Sequence, residues 1–231
     1  MSTPLHLDGM QSPQGPRPPA VPTIAIDVTD ATAVAHAAAP TLRFGLDVTC
    51  RSGTPIRAVL LNAQLRIVLG RRHYDAETRA RLTEVLGPPS ATAGGVRALH
   101  WAQTTLAIPA FTGRTRAHLD VPCTYDFDVA APKYLHGLRD GDVPLEFLFS
   151  GTVFHAVAGG NLRATRIPWE QESAFRLPLA TWREAVDAVF PHAAWIRLDR
   201  DAFDRLAQWK AARALPTWEA TVDALLEDQD P

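Results

Sequence analysis

Residues 115–129 read TRAHLDVPCTYDFDV. Ala117, Leu119, Val121, Cys123, Tyr125, Phe127 and Val129 fall on one parity, with Arg116, His118, Asp120, Thr124, Asp126 and Asp128 on the other. A period of two suits a strand with one buried and one wet face, because successive side chains leave opposite sides of the backbone. Pro122 stands among the outward positions. Proline has no N–H to give to a ladder, so this strand is expected at a sheet edge or locally bulged.

The same period extends outward from this stretch. In residues 42–48, Leu42, Phe44, Leu46 and Val48 alternate with Arg43, Gly45 and Asp47. In 59–69, Val59, Leu61, Ala63, Leu65, Ile67 and Leu69 oppose Asn62, Gln64 and Arg66, after an apolar start at 56–61 that reads as covered on both faces. VPLEFLFSGTVFHAV (143–157) is a long strand with a bend expected at Gly151, and Gly159, Gly160 and Asn161 form a hairpin turn into a strand over 162–168. Shorter strands are expected at 23–28, 97–108 and 172–178. Strands joined mostly by turns, without regular βα alternation, predict a β-rich α+β fold: an antiparallel β-sandwich, immunoglobulin-like or jelly-roll-like.

One inserted helix is expected at 75–86, capped by Asp75 and stopped by Gly87 and Pro88. From 180 onward the period becomes helical. Thr181 and Glu184 have capping-box spacing, and Trp182, Val186, Val189 and Phe190 form a stripe before Pro191. Asp199 caps a helix carrying Phe203, Leu206 and Trp209; Thr217 caps another carrying Trp218, Val222, Leu225 and Leu226. The expected organisation is a disordered proline-rich tail over 1–22, a β-sandwich domain over 23–178, and a helical segment of two or three amphipathic helices over 179–231, packed on the sandwich. Within the tail, Pro16, Pro18 and Pro19 suit a polyproline II stretch, and Glu227, Asp228 and Asp230 give an acidic end.

With 46% hydrophobic and 21% charged residues, the chain has enough apolar surface for a core. A net charge of -2 supplies no field for nucleic acid or an anionic membrane. Without a bilayer-length apolar run or a signal-like leader, the protein is expected in the cytoplasm. The two cysteines, Cys50 and Cys123, lack metal-binding or redox spacing. They read as buried free thiols that meet only if their strands pair.

His118, Asp120, Asp126 and Asp128 share a strand face at about 6.5–7 Å intervals, which suits a carboxylate pair or a metal, although a solvated face has the same composition. Arg71, Arg72 and His73 before the inserted helix suit an anion or a plain charged strand end. Ser150 lacks the glycine spacing of a nucleophile elbow, and nothing marks His155 as its base. Phosphate-loop, dinucleotide and zinc-protease signatures are missing, so no catalytic residue, cofactor or metal is assigned. Five of the six tryptophans, Trp169, Trp182, Trp195, Trp209 and Trp218, follow residue 168, and Trp101 stands apart. Large amphipathic rings serve helix packing and protein interfaces alike. The candidate protein-binding residues are Trp182, Trp195, Phe203, Trp209 and Trp218.

In VPCTYDFDVAAPKYLHGL (121–138), VPLEFLFSGTVF (143–154), IPWEQESAFRLPLATW (167–182) and WIRLDRDAFDRLAQWKAARALPTWEATVDALL (195–226), the chain resembles a bacterial domain family of unknown function whose genes often sit in operons for oxygen-tolerant NiFe hydrogenases. The resemblance spans about 23 to 227. It implies an accessory or assembly role with a hydrogenase subunit or maturation factor as partner, and carries no catalytic residues. The stretch from Phe190 to Leu206 is also similar to the C-terminal part of the SecB export chaperone, which implies binding of unfolded chains.

Overall fold

The computed structural model describes residues 22–87, 98–124, 129–157, 160–168, 171–191, 193 and 196–227. In chain order these form β1 (Ile24–Ala33), β2 (Thr41–Cys50), β3 (Ile56–Val68), α1 (Ala76–Arg81), α2 (Thr83–Leu86), β4 (Ala98–Ile108), β5 (Arg114–Pro122) and α3 (Ala130–Gly137). There follow β6 (Asp142–Ala156), β7 (Leu162–Arg166), β8 (Glu172–Pro178), α4 (Leu179–Asp187), α5 (Arg200–Ala212) and α6 (Trp218–Glu227). The fold is β-rich α+β, with two open antiparallel sheets. One sheet has the order β1-β2-β5; the other has the order β4-β3-β6-β7, with β8 also paired to β6.

β7 and β8 lie end to end along one edge of β6, bonding its residues 152–156 and 142–148, while β3 holds the other edge. The sheets share one core. The Phe44 ring of β2 stands edge-on to Phe147 of β6 at 5.0 Å and to Phe175 of β8 at 5.9 Å. The Val28 N–H of β1 donates to Ser173 Oγ of β8 at 3.0 Å. Leu42, Phe44, Leu46 and Val48 are all 0% exposed, as the alternation in β2 requires. Each such side chain contributes roughly 1.5–3 kcal/mol on burial.

Two glycines are fixed by close approach. Gly151, at φ 144°, puts its Cα so near the Leu60 carbonyl oxygen that a Cβ would collide with it. Gly45 leaves room over β2 for the Asp30 carboxylate, which reaches Arg116 of β5 at 2.5 Å.

Several expectations need correction. The strand read as 115–129 ends at Pro122, which pairs with Thr41, the first residue of β2. Its ladder partner stops there, and one further bond, Cys123 N–H to Pro40 O at 2.7 Å, closes the ladder. Residues 125–128 lie outside the described residues, and Val129 is the N-cap of α3, a helix that follows the alternating stretch where no element was expected. Pro132 is tolerated there because it falls in the first turn. Among the described residues β5 is a sheet edge, one of the two settings expected from Pro122.

The single inserted helix is broken at Leu82 into α1 and α2, and among the described residues the sheet region also carries a 3-10 turn at Leu69–Arg71 and α3. The start of β3 is not covered on both faces, for Leu60 is 53% exposed. Thr181 caps nothing: α4 begins at Leu179 directly after β8, where the Leu179 N–H donates to Gly141 O at 2.9 Å. Asp75, by contrast, does cap α1, accepting from the Thr78 N–H at 2.6 Å.

α4 packs against β1, β2 and β8 through the buried Leu179, Trp182, Ala185 and Val186. α5 buries no residue and α6 buries only Thr221. Residues 1–21 and the turn position Gly159 lie outside the described residues.

Candidate functional site

The α5–α6 hairpin is built from local signals. Asp199 accepts from the Ala202 N–H at 2.7 Å and opens α5. At the turn, Lys210 Nζ donates to Leu215 O at 2.6 Å; Thr217 Oγ1 then accepts from the Ala220 N–H at 3.1 Å and opens α6. The Phe203 and Trp218 rings meet at 5.4 Å. Lys210 lies over Trp218 at 5.6 Å, and the Arg213 guanidinium lies over Trp209 at 4.0 Å. These contacts hold the pair together yet leave its apolar residues in water: Phe203 is 46% exposed, Trp218 41%, Val222 45% and Leu226 66%. The connecting segment adds Ile196 and Leu198, both exposed.

Of the residues singled out in the sequence, Phe203 and Trp218 come together on this surface, and Trp209 of α5 lies half-buried under Arg213. Trp195, with Trp169, lies outside the described residues. Trp182 is 2% exposed and packs α4 on the sheets, so its ring is a core element in this arrangement. Choosing by ring size passes over Val222 and Leu226. The signal that finds them is the pair of four-residue steps from Trp218 to Val222 and on to Leu226 along one helix face.

Trp182 also lines a cavity of about 190 Å³ between α3 and α4, with His136, Arg183, Val186 and Asp187. Its indole Nε1 is buried without a hydrogen-bond partner. Arg183 donates to the Leu138 carbonyl at 2.8 Å, tying α4 to the end of α3. Partial burial, and then the Arg183 charge, hold His136 below its ordinary 6.5.

The polar face of β5 is a strip of ion pairs. Asp120 takes both arms of Arg43 at 2.7 Å, and that hydrogen bonding holds its carboxyl below 3.8. Asp126 and Asp128 lie outside the described residues. Among the described residues no three His, Cys, Asp or Glu side chains gather as a metal site.

Arg72, a candidate anion ligand with Arg71 and His73, donates to the carbonyls of Asp142 and Asp140 at 2.5 and 2.6 Å. It therefore works as a clamp on the turn into β6. Nearby, the Tyr74 hydroxyl donates to Leu69 O at 3.0 Å, so the buried Tyr134 hydroxyl, 2.9 Å away, must donate to Tyr74. Burial raises both phenols above 10.

Ser150 is exposed on β6, while His155 is buried five residues on and bonds Thr165 at 3.1 Å. An odd spacing in a strand sends them to opposite faces. β2, which ends on Cys50, pairs with β5, which Cys123 follows, yet both thiols are free. The antiparallel register puts Cys50 beside Gly113 and Cys123 beside Pro40, at opposite ends of the ladder. Burial pushes the Cys123 thiol up to about 12, so it stays protonated.

These elements define a two-sheet α+β protein with an appended helical hairpin. The chain belongs to a family of unknown function, DUF6084, whose sequence pattern matches residues 21–231. No curated protein matches it at a significant level. Among solved structures it is similar to a β-glucosidase from Kluyveromyces marxianus, at 8% identity and a TM-score of 0.23, over 68% of this chain and 15% of that one. It is also similar to β-glucosidase 3B from Thermotoga neapolitana, solved with α-D-glucose, at 12% identity and a TM-score of 0.23, over 67% and 17%. The chain thus spans about a sixth of those enzymes, and likeness at this level carries no argument about fold or chemistry. Among the described residues no helix is long and apolar enough to cross a membrane.

Proposed function

We propose that this protein is a non-enzymatic accessory or assembly factor for a NiFe hydrogenase, working in the cytoplasm by binding another polypeptide through its α5–α6 hairpin. The observation that carries the binding half of this reading is the exposure of Phe203, Trp218, Val222 and Leu226 on helices that bury almost nothing of their own. Apolar residues gathered at a surface mark contact sites more often than chance scatter does. The hydrogenase half rests on the resemblance of the sequence to a family found in hydrogenase operons. The finer fold reading, an immunoglobulin-like or jelly-roll-like sandwich, is supported by two antiparallel sheets meeting across Phe44 and Phe147.

The test is affinity purification from a host that makes the hydrogenase, paired with deletion of the gene. Recovery of a hydrogenase subunit or maturation factor, with impaired assembly on deletion, is the expected result. Recovery of neither, with assembly unchanged, overturns the reading. The same exposed surface suits a SecB-like holdase, which would suppress aggregation of unrelated unfolded proteins at stoichiometric ratios.

A further inference from the structure

The exposed apolar residues of α6 have an ordered electrostatic border. A residue four positions on advances by about 40° around a helix. Trp218, Val222 and Leu226 therefore form one band, and Glu219, Asp223 and Glu227 form a parallel band about 100° further round that borders one side of the apolar face. All three acids are exposed and unpaired among the described residues, and α6 carries no Lys or Arg. Of the neighbouring cations, Lys210 lies over the Trp218 ring at the start of the band while donating to the Leu215 carbonyl, and Arg213 lies over Trp209, so neither is paired with these acids.

From this we infer that α6 docks an amphipathic helical segment of another protein whose apolar stripe is flanked by Lys or Arg, with Trp218, Val222 and Leu226 seating the stripe and Glu219, Asp223 and Glu227 meeting the cations. This rests on the protein-binding reading above and specifies the partner's chemistry. The pattern disfavours a second copy of α6 as occupant. In an antiparallel two-fold pairing, equivalent flanking rows face each other, so acids would meet acids. An anionic lipid surface is disfavoured for the same reason.

The test uses the full chain and two labelled helical peptides about four turns long. Both carry the same leucine stripe, one flanked by lysines and the other by glutamates, and binding is read by fluorescence anisotropy. The lysine peptide is expected to bind about tenfold more tightly, the combined effect of three ordinary surface charge contacts, with a preference that shrinks in salt.

Replacing Glu219, Asp223 and Glu227 together by Lys should reverse the preference. Val222→Gln with Leu226→Gln, which keeps helix propensity, should abolish binding of both peptides. The charge-reversed variant keeps every apolar residue, so it reads the site even where the glutamine pair loosens the hairpin. Equal binding of the two peptides, binding of neither, or an unchanged preference after charge reversal overturns the inference. So does a wild-type dimer that Val222→Gln and Leu226→Gln convert to monomer in sedimentation. If the peptides do not discriminate while a hydrogenase component still co-purifies, the α6 assignment fails and the accessory reading stands. If they discriminate and no hydrogenase component is recovered, the α6 assignment stands and the accessory reading fails.

Discussion

The two-sheet core and the α5–α6 hairpin are made from the same kinds of apolar residue and treat them in opposite ways. On β2, four alternating side chains from Leu42 to Val48 are at 0% exposure, whereas on α6 Val222 and Leu226 stand at 45% and 66%. α4 separates periodicity from burial. It too has a helical stripe, yet its Trp182 and Val186 are buried, because β8 runs straight into it and the Gly141 carbonyl fixes its first turn over β1 and β2. Amphipathic pattern states what an element is able to bury; only the chain's path decides whether it does.

The largest losses are expected in the core. Phe147→Ala removes a ring that touches Phe44 at 5.0 Å and Phe149 at 6.0 Å, and is expected to lower unfolding free energy by about 3–5 kcal/mol in urea. Gly151→Val forces a Cβ against the Leu60 carbonyl at a φ that side chains avoid, and should cost at least about 2 kcal/mol. A loss below about 1 kcal/mol at either position would mean that the sheets are not packed as described.

Trp182 sharpens the boundary between the two regions. Trp182→Ala should cost about 3–5 kcal/mol, as loss of a large core ring does. Trp182→Phe removes an indole N–H that is buried without a partner, whose retention is itself costly by roughly 1–3 kcal/mol, so this variant should unfold within about 1 kcal/mol of the native protein. Equal damage from both substitutions would show that the N–H has a partner, such as a water in the α3–α4 cavity.

The strands are legible in the sequence because period two survives into the structure. The alternation in 42–48 is β2, and Asp75, Asp199 and Thr217 cap helices as their spacing implies. Non-local facts are hidden. Alternation across 123–129 looks the same whether or not a partner strand continues beyond Thr41, so it does not show that β5 stops at Pro122. The register that separates Cys50 from Cys123 is a property of pairing rather than of either strand. The candidate site is half legible: ring size finds Phe203 and Trp218, but the same criterion groups Trp182 with them and leaves out Val222 and Leu226.

Weaker effects belong to local signals. Asp199→Ala and Thr217→Ala each remove a cap and should cost about 1 kcal/mol of helix stability. Hydrogen exchange should quicken in α5 and α6 while β3 amides keep their protection, since a hairpin that buries little opens as its own unit. Uniform quickening would tie the hairpin to the sheets. Arg43→Met, which breaks the solvent-exposed pair with Asp120, should cost little at neutral pH and less still in salt. Because the folded Asp120 carboxyl lies below 3.8, the pair's contribution is present above that value and is lost as pH falls through the folded one. The native and Arg43→Met proteins should therefore converge in stability under acid.

The smallest expected change in stability falls where the apolar residues are most exposed. Val222→Gln and Leu226→Gln replace side chains that are already largely in water with a good helix former, so neither lost burial nor lost propensity is large. Each should shift the unfolding free energy by no more than about 0.5 kcal/mol, the range of ordinary surface substitutions. A core position cannot behave this way: the corresponding Leu46→Gln in β2 would place an amide among residues at 0% exposure with nothing to bond it. If Val222→Gln instead cost several kcal/mol, the α6 stripe would be covered in the folded protein, and the contrast between core and hairpin would disappear with the binding surface proposed from it.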